Sequence, residues 1–251
     1  MSGHSKWSTI KRAKGVADAK RGQIFTKLAK EIMVAVREGG SNPEQNFRLR
    51  LIMQKCRDNN MPSENIERAI KKGSGEGVGA ALAEASFEGY GPGGVAILIQ
   101  VLSDNRNRTL QEIRSILNRS GGSMAAAGSV SWMFEPKGVI TIETNQLNAE
   151  EVALWAIDAG AEDVKIEKGY LEVYTTSDTL EAVRHALEEK EVPTTSAELS
   201  MIPKTTVDLD EENAIRTLKL LDRLEELDEV RRVFSNVDFS EEVLEKLKAS
   251  V

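Results

Sequence analysis

Residues 73–79, GSGEGVG, separate two stretches whose apolar residues follow different periods, so the chain cannot form one layer of one kind of structure. Upstream, Ile24, Phe25, Leu28, Ala29, Ile32, Met33 and Val36 recur at intervals of three and four, which is one face of a helix starting at Gln23 and ended by Gly39 and Gly40. Asn42-Pro43 opens a second helix through Phe47, Leu51 and Ile52. Pro62-Ser63 opens a third, with Ser63 as N-cap and Gly73 closing it after Lys71 and Lys72. The glycine run itself reads as a flexible linker that lets this bundle move relative to the rest of the chain.

Downstream the pattern is α/β. Residues 95–102 (VAILIQVL) read as a buried strand, 109–119 as a helix and 129–134 (SVSWMF) as a second strand. A second pass gives strand 139–143, helix 149–159, strands 164–167 and 171–174 about Lys168-Gly169, helix 180–189 and strand 197–202. That β-α-β-β-α-β order is ferredoxin-like and complete in itself. A strand at 206–209, a helix carrying Ile215, Leu218, Leu221, Leu224 and Leu227, and a strand at 230–237 remain. They complete the half-finished unit of 86–135 if 137–203 is an insertion; two independent α/β pieces are the alternative. The expected fold class is α+β: a three-helix basic bundle followed by two ferredoxin-like α/β domains, the second inserted into the first. The expected domains are 1–78, 79–135 plus 204–251, and 136–203.

Charge divides the chain at the same place. Residues 1–75 hold 16 Lys plus Arg against 7 Asp plus Glu, a net of +9, while the other 176 hold 17 against 33, a net of −16. The stretch 3–30 sets Lys6, Lys11, Arg12, Lys14, Lys20, Arg21, Lys27 and Lys30 against Asp18. Cations beside phosphates release condensed counterions, so this end is suited to nucleic acid, whereas the acidic remainder repels it. Trp7, next to Lys6 and His4, suits base stacking. It equally suits pinning the arm to the bundle.

Other chemistry finds little support. No run of ~18 apolar residues is present to span a bilayer and no signal-type stretch leads the chain, so a cytosolic protein is expected. Cys56 is the one cysteine and His4 and His185 the only histidines, which excludes an internal disulfide and offers no zinc-ligand set. Residues 88–94, EGYGPGG, precede a strand and lack the Gly-Lys-Ser/Thr ending, so a tight turn is expected there rather than a phosphate loop. Residues 104–109, DNRNRT, lie where strand passes to helix. Arg106, Arg108 and Thr109 are candidates for a phosphate or partner contact, with a capped helix start as the alternative. The acid runs 208–212 and Glu225-Glu226 read as solvated surface, and no catalytic residue, metal or cofactor is expected.

Six motifs occur in order: GHSKW at 3–7, AKRGQIFTKLAKEI at 19–32, MPSENIERAIKKGSG at 61–75, EGYGPGGVA at 88–96, SDNRNRT at 103–109 and MIPKTTVDL at 201–209. Together they resemble the YebC/PmpR family, which includes the mitochondrial translational activator of cytochrome oxidase. Ser8-Thr9 departs from the Ala-Asn of that pattern. The resemblance implies three domains and a regulator of gene expression without catalytic turnover, either a DNA-binding transcriptional regulator or a ribosome-associated factor that relieves stalls at proline-rich sequences.

The expected nucleic-acid contacts are Lys6, Trp7, Lys11, Arg12, Lys14, Lys20, Arg21, Lys27 and Lys30, with Arg48 and Arg50 of the second helix, although no helix-turn-helix spacing precedes that helix. Expected partners are DNA or ribosomal RNA, with the ribosome or a protein contacted through the acidic α/β domains. A protein-interaction scaffold with an incidental basic end is the remaining alternative.

Overall fold

Seven α-helices and two four-stranded sheets are formed by the described residues of the computed structural model, which are 18–75, 82–144, 147–167, 169–239 and 243, with side chains from residue 21. The architecture is the α+β class expected: a helical bundle, then two α/β domains with the second inserted into the first. Contacts group the chain into two compact units, Met1–Phe134 with Pro203–Val251, and Glu135–Ile202.

In the first unit α1 (Asp18–Gly39), α2 (Phe47–Asp58) and α3 (Ser63–Gly73) enclose Leu28, Ile32, Val36, Leu49, Ile52, Cys56, Ile66 and Ala69. The apolar stripe of α1 is thus the one its period gave. The helix starts differ. Residues 42–45 form a turn, in which the Glu44 N–H donates to Asn42 Oδ1 at 3.0 Å. Asn46 is the true N-cap of α2: its Oδ1 accepts from the Leu49 N–H at 3.0 Å, and its Nδ2 donates to the Ala35 and Gly40 carbonyls, both at 2.8 Å. The N-cap of α3 is Pro62, so Ser63 is the first helical residue and makes no capping bond. Gly73 is the buried last residue of α3, not a residue beyond it; a Cβ there meets Val36 Cβ at 2.8 Å and the Met33 carbonyl oxygen at 2.9 Å.

The α/β part of this unit is the sheet β3-β1-β2-β9, every neighbouring pair antiparallel. Its strands are β1 (Ala83–Tyr90), β2 (Ala96–Ser103), β3 (Ser123–Met124) and β9 (Val230–Ser235). One face carries α4 (Arg106–Arg119) and α7 (Glu211–Glu225), with Ile97, Ile99 and Val101 packed against Ile113, Leu117, Leu218 and Leu221. β1 and β2 are a hairpin in which Ala83 faces Ser103 and Tyr90 faces Ala96. The 88–94 stretch therefore supplies the end of β1 and the hairpin turn. Gly93, at φ +71, leaves room for Leu209, whose Cδ2 lies 2.5 Å from where a Cβ stands.

The strand expected at 129–134 is not formed there; only Phe134 is in a strand, as the first residue of the next one. Ser131–Met133 is a 3-10 turn, because the buried Glu88 carboxylate accepts the N–H groups of Gly128 (2.8 Å), Val130 and Ser131 (3.1 Å) and so takes them from any ladder. Their pull outweighs burial and holds Glu88 below the usual carboxylate range. A short parallel pair, β8 (Val207–Asp208) with β10 (Val237–Asp238), completes the unit.

The second unit has the sheet β5-β6-β4-β7, built from β4 (Phe134–Glu143), β5 (Asp163–Glu167), β6 (Tyr170–Thr175) and β7 (Thr194–Pro203). With α5 (Ala149–Asp158) and α6 (Leu180–Glu189) this is the ferredoxin-like order read from the sequence. Ile140 faces Val173 and Ile142 faces Leu171 across β4 and β6, and all four are buried.

Candidate nucleic-acid interface

α1 has two working faces. The apolar one closes the bundle; the other, at Gln23, Lys27, Lys30 and Glu31, meets the α/β part of the same unit. Lys27 Nζ donates to the Glu225 carbonyl, Lys30 Nζ to that of Asp228 at 3.0 Å and Gln23 Nε2 to that of Glu226 at 3.5 Å. These carbonyls lie at and just beyond the C-terminus of α7, where unpaired oxygens and the negative end of the helix dipole attract cations. Beside them Arg231 Nε donates to Glu31 Oε2 at 3.1 Å. Glu31 is 4% exposed. Burial pushes its carboxyl up, but Lys55, Arg231 and Arg232 outweigh that and hold it below its ordinary value. The linker reading left the bundle free to move; in the structure α1 is docked on α7 and β9.

This docking redistributes the expected contacts. Lys27 and Lys30 serve an internal joint. Arg48 pairs with Glu38 and Glu84. Arg50 donates to the carbonyls of Pro43 and Glu44, both at 2.8 Å, and lies 5.7 Å from the centre of the Phe47 ring. Both arginines of α2 are thus half-exposed and engaged by the protein's own oxygens. Arg21 is exposed on α1. Lys6, Trp7, Lys11, Arg12 and Lys14, and the side chain of Lys20, lie outside the described residues.

Arg68, Lys71 and Lys72 of α3 were not singled out from the sequence. All three are exposed, and among the described residues none has an ion pair or side-chain hydrogen bond. The signal was present: spaced i, i+3 and i+4, they lie opposite buried Ile66 and Ala69.

The 103–109 stretch builds a capped helix start. Asn105 Oδ1 accepts from the Arg108 N–H at 3.1 Å, and Arg108 pairs with Asp104 at 2.9 Å and Glu229 at 3.2 Å. Thr109 is fully buried with its hydroxyl 2.8 Å from that of Ser103, so it is out of reach of a phosphate, a correction to its candidacy. Arg106 remains exposed, 5.7 Å from the Phe87 ring centre.

Among the described residues no group of three or more His, Cys, Asp or Glu is gathered to hold a metal, and no helix is long and apolar enough to cross a membrane. Burial pushes the Cys56 thiol up to about 12, with nearby Glu31 adding to the shift, so it is no nucleophile.

Two family models cover nearly all of the chain: the TACO1/YebC N-terminal domain matches residues 5–76, and the TACO1/YebC second and third domain matches residues 82–237. A "probable transcriptional regulatory protein" of Dehalococcoides mccartyi is 61% identical over 246 residues, which is 98% of each chain. One from Chloroflexus aurantiacus is 52% identical over 252 residues, covering 99% of this chain and 100% of that one. The crystal structure of a conserved hypothetical protein from Aquifex aeolicus, 46% identical, superposes with a TM-score of 0.84 over 90% of this chain and 94% of its own. With two family models matching residues 5–76 and 82–237 and relatives of this identity over nearly its whole length, the chain belongs to the TACO1/YebC family.

Proposed function

We propose that the protein is a non-enzymatic regulator of gene expression that works in the cytosol by binding nucleic acid, and that duplex DNA, held through its phosphates, is its target. The observation that carries this is the segregation of charge, with a net of +9 gathered in residues 1–75 of a chain whose net is −7. The name shared by the relatives, "probable transcriptional regulatory protein", supports transcription as the process. With Arg48 and Arg50 engaged internally, binding rests on cations directed at the backbone, which gives affinity and register rather than base reading.

That same engagement favours a second reading. Structured RNA is recognised by shape, phosphate and stacking, without a recognition helix, so a ribosome-associated role in translation, including relief of stalls at proline-rich sequences, also fits.

The test is fluorescence anisotropy of the full-length protein with duplex DNA and with an RNA hairpin across a salt series. About six phosphate contacts predict a loss on the order of a thousandfold between about 50 and 200 mM salt. Tighter binding to the hairpin overturns DNA as target. A salt-independent response to both polymers overturns the nucleic-acid reading in favour of a protein-interaction scaffold.

A further inference from the structure

The acidic excess downstream of the bundle is unevenly distributed. The unit Glu135–Ile202 carries 5 Lys plus Arg against 15 Asp plus Glu, a net of −10 out of the −16. The α/β part of the first unit is therefore less acidic than the sequence totals imply, and its helical layer has a cationic outer surface.

On α7, Arg216, Lys219 and Arg223 are exposed at spacings of three and four, on the side opposite the buried Leu218, Leu221 and Leu224. The acids Glu211 and Glu212 are confined to the first turn of that helix, where they meet its dipole. On α4, Arg114 and Arg119 are exposed and flank an outward row of amides, Asn107, Gln111 and Asn118. Among the described residues the side chains of Arg114, Arg119, Lys219 and Arg223 have no ion pair or hydrogen bond, and Arg216 only an exposed contact with Glu212 at 3.5 Å. Five guanidinium and ammonium groups standing out in water are not needed to hold this layer together, since its cohesion comes from the apolar side beneath. Against these cations stand the half-buried Glu112, Asp222 and Glu225 on the same two helices and the exposed Glu226 at the end of α7, which lower the field of this face.

We propose that the outward face of the α4–α7 layer is a second contact surface for the phosphate backbone of duplex DNA. The proposal rests on the nucleic-acid reading above and extends it from the N-terminal end to the α/β part. Charge complementarity identifies the occupant, and the two rows identify it as a duplex. Helices packed side by side have axes about 8–10 Å apart, so the two together present a face broader than one strand of nucleic acid. Each row can then follow one of the two strands that border a groove. A single strand meets only one of them. The amides of α4 serve the same purpose, because Asn and Gln side chains commonly bond phosphate oxygens. The surface ends at the joint where Lys27 and Lys30 reach carbonyls at the C-terminal end of α7, an end that carries the acids Glu225, Glu226, Asp228 and Glu229 and so bounds the cationic face there.

The experiment compares the full-length protein with three variants: Arg114→Ala/Arg119→Ala, Lys219→Ala/Arg223→Ala, and Lys11→Ala/Arg12→Ala at the N-terminal end. Each is titrated with duplex DNA, a single strand and an RNA hairpin over a salt series, with thermal melts to confirm that the fold is kept. The expected result is that each α4 or α7 variant lowers the salt slope for duplex DNA by about one per cation removed, with a smaller change for the single strand and an unchanged melt. A lowered slope for Lys11→Ala/Arg12→Ala with wild-type slopes for the two helix variants overturns this proposal and leaves the proposed function standing. An effect of the helix variants on the RNA hairpin alone overturns duplex DNA as occupant. Failure of the unaltered protein to bind any of the three polymers overturns both.

Discussion

Glu31 and Arg231, 200 positions apart in the chain, meet through a 3.1 Å hydrogen bond where Glu31 has only 4% of its surface exposed. The pair joins the helical bundle to the edge strand of the first sheet. A buried ion pair adds little compared with an apolar packing of the same shape, but removing one partner strands the other charge away from water. Glu31→Ala is therefore expected to lower stability by about 3–5 kcal/mol. In urea titrations the double variant Glu31→Ala/Arg231→Met should recover part of that loss. A loss below about 1 kcal/mol for the single variant shows that the joint is not held by this pair.

The same carboxyl sets a pH dependence. The folded value of Glu31 lies below its ordinary 4.5, so its contribution is fully present above that value and is lost as the pH falls through the folded one. Glu88, held down by three backbone N–H groups, acts in the same direction. Melting temperature should thus stay level from neutral pH to about 5 and fall below that. The Glu31→Gln protein, already less stable, should show a shallower acid fall. Parallel curves for the two proteins rule Glu31 out as a source of the acid sensitivity.

How far the sequence could be read is visible in α1. Its bundle face was legible because apolar residues at helical spacing have one physical reading. Its docking face was not, because Gln23, Lys27, Lys30 and Glu31 are residues that water also suits, and their partners lie some two hundred positions away. The strand β1, AEASFEGY, offers little apolar run of its own and is a strand because β2 pairs with it from end to end. In 129–133 the opposite error arises, since Val130, Trp132 and Met133 look like strand residues while Glu88 takes the amides a strand needs. For the candidate site, the sequence locates the cations; only folding reveals which of them the protein's own oxygens have already engaged.

Gly73 gives a packing prediction. A Cβ at this position meets Val36 Cβ at 2.8 Å and the Met33 carbonyl oxygen at 2.9 Å, closer than atoms of a packed interior tolerate. Gly73→Ala should force α3 away from α1 and cost about 1–3 kcal/mol, in spite of the better helix propensity of Ala. Urea titration reads the loss. A stabilised variant shows that the two helices separate without penalty and that propensity decides.

The Cys56 thiol reports whether the bundle opens. Buried and pushed up to about 12, it is protonated at neutral pH, and only the thiolate attacks a disulfide reagent. Labelling of the native protein should be much slower than that of a free thiol and should accelerate with urea in step with unfolding. Labelling in native buffer as fast as in full denaturant contradicts the buried placement.

Lys27 and Lys30 test whether a cation in a basic stretch is used for a partner or for the fold. Both donate to carbonyls at the end of α7, so Lys27→Ala and Lys30→Ala each remove a charge-assisted hydrogen bond and leave a helix-terminal oxygen less well satisfied. Each is expected to cost about 1 kcal/mol of stability and to change the salt slope of DNA binding by less than the unit that a phosphate contact contributes. Melts and salt titrations on the same preparations separate the two roles. A full unit lost from the slope with an unchanged melt shows that these lysines leave α7 for the nucleic acid when it binds, and that the joint they form in the free protein is exchanged for a contact with phosphate.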